Sequence, residues 1–398
     1  MTFSQRGTFF AAATVLALSL WASGAPSVLY PVYAAEWNLP PIVTTSVFGA
    51  YPIALLLVLL FFGSLSDSIG RRRAMLLGVG LIALSAVLFA IAPNVGFLFA
   101  GRVLQGVGTG FAIGAASASL VENNFSGNPR IASTLATAST ATGLTLALVV
   151  SGALAQFAPL PLVLSFAVLF VLAVVAFALV FATPDDRPAD RAPFRPSPLH
   201  LPSGMLRAFI LSTISVSIAY TVGAIFLSLG SQMAREFTHT TNLLVIGLLL
   251  GSSSLAIGVT ALFLSRIHTH TAIIIGAVLG LAGLGIMVAA SATGSVALLL
   301  AWCIVGGVGY SFAFTGGLTL LNRTAPAEHR GATLSLLYLF AYLLQAGAAV
   351  GAGALATALG LRMAIDIAAP VVAILCLIGI TLAAVDVAAR RRAVPLTA

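Results

Sequence analysis

Apolar residues run through this chain in twelve long blocks, and nearly all the charge sits in the short segments between them. A membrane-crossing helix needs about 20 mostly apolar residues. The blocks of the first half lie at 9–34, 42–62, 74–92, 97–121, 133–157 and 160–182. Those of the second half lie at 207–231, 242–264, 272–291, 295–321, 331–357 and 363–386. Backbone N–H and C=O groups find no partner in hydrocarbon, so each block is predicted to be a helix. The N-terminal block after Arg6 runs well past the length of a signal-peptide core, and so reads as a retained first span. Between the sixth and seventh blocks stands TPDDRPADRAPFRPSPLHLPSG, Thr183 to Gly204. Its prolines and charges mark a solvated linker. The predicted division is a bundle over 1–182, a linker over 183–204, and a second bundle with a short tail over 205–398.

The halves resemble each other. Gly-Val-Gly stands at 106–108 in span 4 and again at 307–309 in span 10. Pro129-Arg130 precedes span 5, and His329-Arg330 precedes span 11. Internal repeats of this kind build many transporters, with the solute site at the interface between them.

Composition agrees with a lipid solvent. Hydrophobic residues make up 60% of the 398, and charged residues 7%, against about 25% charged in soluble proteins. The net charge of +8 comes from arginine alone, since lysine is absent. Clusters between apolar blocks point to membrane topology and away from nucleic acid. With the N-terminus inside, fifteen arginines fall on the cytoplasmic side, Arg235 and Arg362 fall outside, and Arg102 lies within a span. That bias places both termini in the cytoplasm. Cys303 and Cys376 sit inside apolar blocks and give neither a disulfide framework nor metal-ligand spacing.

The segment between spans 2 and 3 reads GSLSDSIGRRR, Gly63 to Arg73. Glycines allow tight turns. Asp67 can cap a neighbouring helix N-terminus. The arginines favour the anionic inner leaflet. A generic basic loop would explain the arginines, though not the Gly-x-Leu-x-Asp-x-x-Gly frame before them. This frame resembles the signature of the major facilitator superfamily: Gly63, Leu65, Asp67, Gly70, Arg71 and Arg72 match, and Ser68 departs from the usual basic residue. The corresponding SRIHTHT of the second half lacks the aspartate and both glycines. The resemblance covers essentially the whole chain. It implies an all-α integral membrane protein, twelve helices in two pseudo-symmetric six-helix bundles around a central cavity, working by alternating access. It also implies a cytoplasmic gate, with Asp67 facing the start of span 11 at Arg330.

Span 4 carries Arg102-Val-Leu-Gln105-Gly106. A charge inside a span is costly, by about 2.5–3.5 kcal/mol on insertion scales. Two readings account for Arg102: snorkelling to the near interface, or facing a cavity between the bundles. Arg-x-x-Gln-Gly resembles the family's second motif, found in proton-coupled members, which favours the cavity. Gly106, Gly110 and Gly114 form a small-residue ladder for close packing. In span 5, Gly143 and Gly152 fit the drug–proton antiporter pattern, whereas Ala147 and Ser151 replace glycines and Leu148 stands where proline is expected. Small-residue packing explains that span equally well.

A proton carrier would be a buried carboxylate. None lies near the middle of a span: Glu36 is at an outer end, Glu122 and Asp386 at inner ends, and Asp366 one turn beyond Arg362. Asp366 is assigned either to the cavity charge or to an i,i+4 pair with Arg362. Proton coupling therefore follows from the resemblance alone, with sodium coupling and facilitated diffusion as alternatives. In this family the cavity draws on spans 1, 4, 7 and 10, with support from 5, 8 and 11. Candidate lining residues there are Trp21, Tyr30, Gln105, Thr109, Tyr220, Tyr310, Phe314, Tyr338, Tyr342 and Gln345. Each could instead belong to an interfacial aromatic belt. Together they describe an aromatic, weakly polar pocket for a small neutral or amphiphilic solute.

The expected function is proton-driven efflux of a small amphiphilic drug or metabolite across the bacterial inner membrane by a monomer. The alternative is an uptake symporter for a sugar or organic acid, which would need a more polar cavity. A membrane-embedded enzyme would need paired acids or histidines within spans. An ATP-driven pump would need a Gly-x-x-x-x-Gly-Lys loop, impossible without lysine. A passive channel fits a two-fold repeat less well. No cofactor or metal is implied.

Overall fold

The computed structural model describes residues 3–126, 128–186, 201–264, 267–326 and 329–393, with backbone alone at 129–130 and 390–393. Arg187, Arg191, Arg195 and Arg266, four of the arginines used for orientation, lie outside the described residues. The fold is all helical. The first half holds α1 (Gln5–Trp37), α2 (Pro41–Phe62), α3 (Leu65–Ile69), α4 (Arg71–Ala90), α5 (Val95–Glu122), α6 (Pro129–Phe157) and α7 (Pro161–Phe181). The second holds α8 (Leu206–Thr238), α9 (Leu243–Phe263), α10 (Thr269–Thr293), α11 (Val296–Thr324), α12 (Arg330–Leu359) and α13 (Leu361–Ala393). Twelve of the thirteen are long and apolar enough to cross a membrane; α3 is a five-residue turn of helix inside the Gly63–Arg73 segment.

Packing repeats between the halves. Helix α4 lies on α5 as α10 lies on α11. In the same way α1–α6, α2–α5 and α4–α7 match α8–α12, α9–α11 and α10–α13. Each half has its own apolar core. Helices α5 and α11 even start alike: Asn94 Oδ1 accepts from the Gly96 N–H at 3.0 Å, and Ser295 Oγ accepts from the Leu298 N–H at 3.4 Å. These side chains satisfy first-turn donors that the helix itself leaves open. Large apolar side chains such as Val171, Val174, Val371 and Ile374 are exposed on α7 and α13. A water-facing surface would bury them; a lipid-facing one leaves them outside.

The halves meet along two seams, α2–α12 and α6–α9, which the internal symmetry interchanges. Glycines bring the backbones together there. A Cβ on Gly152 would stand 2.5 Å from the Leu243 carbonyl, and one on Gly247 2.5 Å from that of Leu148. Hydrogen bonds join the halves as well. Ile42 N–H donates to Thr357 Oγ1 at 2.9 Å, and Leu243 N–H to Gln156 Oε1 at 2.8 Å. Ser231 Oγ donates to the Ser27 carbonyl at 2.5 Å, and Arg235 Nη1 to the Pro31 carbonyl at 3.4 Å. All four lie at the helix ends away from the chain termini. The Ser27 bond has a local cause. Pro31, inside α1, has no N–H to give to the carbonyl four residues back. The Ser231 hydroxyl of α8 takes that place.

Candidate functional site

Arg102 is the largest side chain with no exposure at all. Its guanidinium does not snorkel; it points into the first half between α1, α2 and α5. Nη1 donates to the Ser23 carbonyl at 3.1 Å and to Gln105 Oε1 at 3.1 Å. Its carbon lies 5.7 Å from the Tyr30 ring centre, 5.5 Å from Phe48 and 5.3 Å from Tyr51. Ring faces attract a cation, by about 0.5–2 kcal/mol each. Nε and Nη2 reach no hydrogen-bond acceptor, and no carboxylate pairs with Arg102 among the described residues. Gly106 sets the geometry: a Cβ there would collide with the Tyr51 carbonyl, so α5 and α2 can approach closely enough to lay Tyr51 on the guanidinium.

The aromatic candidates of the second half do come together. Tyr220 of α8 stacks near Phe314, with ring centres 5.9 Å apart, and near Tyr310 at 6.4 Å, both on α11. Tyr342 of α12 lies 4.9 Å from Tyr220, and Tyr338 lies 6.5 Å from it. The Tyr220 and Tyr342 hydroxyls are 3.4 Å apart. The result is an aromatic column in the second half and, in the first, a cation ringed by Tyr30, Phe48 and Tyr51, the last two on α2, which packs on α12 along the seam. Sequence reasoning missed Tyr51, Phe48 and Ser23. Span 2 was left out of the cavity, although an amphipathic aromatic just before Pro52 stood there to be read.

Other predicted residues fall elsewhere. Trp21 is buried in the first core with Nε1 unpartnered. Thr109 lies fully buried, two turns along α5 from Arg102. Gln345 is half-buried on α12, its Oε1 without a partner. Asp366 is exposed on α13 and makes no ion pair with Arg362 among the described residues, so it belongs to neither the aromatic column nor the expected i,i+4 pair. Gly106 and Gly110 pack on α2 as a small-residue ladder would, but a Cβ on Gly114 would meet nothing within 4 Å. Gly143 packs on α1 at Ala17, and Gly152 on α9.

The Gly63–Arg73 segment is tied to its own half. Asp67 pairs with Arg71, which also reaches Glu122 Oε1 at 3.1 Å and donates to Ser66 Oγ at 2.7 Å. Gly70 takes φ 91°, the region where only glycine is unstrained. That turn aims the first N–H groups of α4 outward, and Asp186 receives them from Arg71 at 3.0 Å and Arg72 at 3.1 Å. A carboxylate is favoured at a helix N-terminus. Arg72 Nη2 caps the Phe181 carbonyl at 2.5 Å, and Arg73 pairs with Asp185 at 3.3 Å. The first residues of the predicted linker are thus docked on α4. Arg330, the expected partner of Asp67, stands exposed, and a Cβ on Gly331 would meet nothing within 4 Å. In this state Asp67 serves Arg71 and not span 11.

At the far face a cavity of about 490 Å³ opens between the ends of α1, α2 and α8. Tyr30, Thr44, Gln232, Arg235 and His239 are among its lining residues. Tyr30 therefore has the cavity on one side and Arg102 on the other.

The profile of the Major Facilitator Superfamily matches residues 12–267 and 211–398. The chain is 35% identical over 131 residues to an uncharacterized MFS-type transporter, EfpA, of Mycobacterium tuberculosis, a match covering 32% of this chain and 24% of the relative. Over 77 residues it is 32% identical to multidrug resistance protein D of Escherichia coli, covering 19% and 20%. These matches span about a quarter or less of the relatives' length. Among solved structures, a peptide transporter POT in complex with sulfate superposes with a TM-score of 0.77 at 16% identity, over 94% of this chain and 93% of that one. A bacterial homolog of the lysosomal transporter Spinster, inward-facing and unoccupied, gives 0.75 at 13%, over 95% and 97%. The nucleoside transporter NupG gives 0.75 at 12%, over 94% and 99%. At these identities the structures speak for the fold. With twelve spanning helices, two interchangeable seams and a profile match along nearly its whole length, this chain is a multi-pass membrane transporter of the major facilitator superfamily.

Proposed function

We propose that the chain exports a small amphiphilic solute across the bacterial inner membrane by alternating access, acting as a monomer and drawing on the proton gradient. The observation that carries this reading is the aromatic column of Tyr220, Tyr310, Phe314, Tyr338 and Tyr342 in the second half, with Tyr51 over Arg102 on the first-half helix that packs against α12. Both halves contribute to it, so a rocking of one against the other would remake the site at each turnover. One chain supplies both halves, divided at 183–204. The arginine bias supports cytoplasmic termini. The hydrogen bonds between the halves then gather toward the outer ends, which supports a state that faces inward. The match to multidrug resistance protein D favours export. The gating role of Gly63, Asp67, Gly70, Arg71, Arg72 and Arg330 belongs to the opposite state, in which the inner ends would close.

The test is accumulation of lipophilic dyes and antibiotics in cells stripped of their own pumps, with and without this protein. The expected result is lower accumulation that an uncoupler abolishes. Unchanged accumulation at confirmed membrane expression would overturn broad amphiphile export.

A further inference from the structure

We infer that Arg102 is the receptor for a carboxylate on the transported solute, so that the carrier selects amphiphilic anions over neutral and cationic molecules of the same shape. This rests on the carrier reading above and names the solute class that reading left open.

The argument begins with an imbalance. A guanidinium has five N–H donors. Here it is wholly removed from solvent, and only Nη1 has acceptors, both uncharged. Removing an unpaired cation from water carries an effective cost of several kcal/mol. Proteins commonly meet that cost with a carboxylate, yet no acidic residue among the described residues pairs with Arg102. Three ring faces moderate the charge without using the N–H groups. Nε and Nη2 remain as adjacent donors with no acceptor. Those two groups form one edge of the guanidinium fork, the edge that a carboxylate engages with two parallel hydrogen bonds.

The surroundings define the rest of the solute. The Tyr51 ring lies over the guanidinium, on the helix that packs against α12, which carries Tyr338 and Tyr342. A flat apolar body against those rings would carry its anionic end to Arg102 once the Tyr51 ring turned aside. Tyr30 lies against Arg102 and also lines the outer cavity, where a second cation, Arg235, is among the lining residues. An anion released past Tyr30 would meet a positive charge along its way out. A cationic solute would be repelled at both places.

The experiment uses the full chain in phosphatidylcholine nanodiscs and three probes of one shape: 2-naphthoate, 2-naphthamide and 2-naphthylmethylammonium. On the native protein 2-naphthoate should bind tighter than the amide by about tenfold or more, the worth of charge-assisted hydrogen bonds, and the ammonium weakest. Arg102→Gln should abolish the preference, and Arg102→Lys, which keeps charge without the fork, should retain part of it. Equal binding of naphthoate and naphthamide, tighter binding of the ammonium, a preference that survives Arg102→Gln, or no binding of any probe would each overturn the inference. The native comparison needs no variant, so it remains decisive even if Arg102→Gln folds poorly. Export of neutral or cationic dyes without carboxylate preference sinks this inference and spares the export reading. Carboxylate binding at Arg102 in a protein that lowers no accumulation does the reverse.

Discussion

Helices α5 and α11 occupy equivalent places in the two halves, each capped at the far face and each packed in the same way on its neighbours. Yet α5 carries Arg102, enclosed and short of acceptors, whereas α11 carries Tyr310 and Phe314 in a stack of aromatic rings. The inner ends differ as well. In the first half Arg71 gathers Asp67 and Glu122, whose side chains are 61% and 52% exposed. In the second, Asp386 at the end of α13 is 9% exposed and is held by His270 Nε2 at 2.7 Å and Arg207 Nε at 2.9 Å. The helix frame repeats because packing constrains every span, while the polar residues differ, and in the proposed site the halves supply different parts: charge in one, aromatic surface in the other.

The largest break in this division is Arg102→Ala. The variant should insert and fold, because the truncation removes an enclosed charge, while transport falls by at least about tenfold. Uptake or efflux rates, normalised to membrane expression, check it. Normal transport would mean that the first half contributes only scaffold. The ring surface comes next. Tyr220→Ala removes the ring shared by four contacts. It should raise the half-saturating solute concentration about tenfold, since losing a buried aromatic contact costs about 1–3 kcal/mol. Tyr220→Phe keeps the ring and loses a weak 3.4 Å contact, so it should stay within about twofold of native. A large loss with phenylalanine would move the function from the ring face to the hydroxyl.

The inner networks give the third contrast. Asp386→Asn leaves His270 and Arg207 without their shared carboxylate in a nearly buried site. Breaking such a pair costs about 3 kcal/mol, less here because Arg207 is half exposed. A clear fall in Tm in detergent is the expected outcome. An unchanged Tm would show that the exposed Arg207 and His270 find water instead.

All twelve spans were legible because the bilayer demands length and apolarity, whatever the tertiary contacts. Their ends were less so. Helix α8 continues to Thr238, seven residues past the predicted end, through Gln232, Arg235 and Glu236. These polar residues ended the hydropathy signal, yet their helix goes on because they line a cavity between the halves. The aromatic column was half legible. Residue type and span number brought Tyr220, Tyr310, Phe314, Tyr338 and Tyr342 together. Tyr51 escaped because span 2 is not among the spans that the family resemblance gives to the cavity, and only packing shows α2 bringing its ring onto Arg102. Asp366 shows the opposite failure. A charge in an apolar block looks functional by sequence, and its exposed side of α13 could be known only from packing.

State dependence also sets the smallest expected effect, that of Asp67→Asn. In this state Asp67 has 61% of its side chain exposed and pairs with Arg71, which keeps Glu122 and Ser66 when the aspartate is neutralised. Exposed pairs are worth about 0–1 kcal/mol, so the Tm should barely move, in contrast with Asp386→Asn. Any transport defect must then come from the other state, in which the inner ends close and Asp67 could meet the start of α12 near Arg330. Accessibility of a cysteine placed at Gly331, exposed here, separates the two. If Asp67 locks the closed inner gate, Asp67→Asn should raise the labelling rate of that cysteine by about two- to fivefold, equivalent to the same 0–1 kcal/mol, and slow turnover correspondingly. An unchanged labelling rate would confine Asp67 to the Arg71 network, and the first half's inner loop would be scaffold.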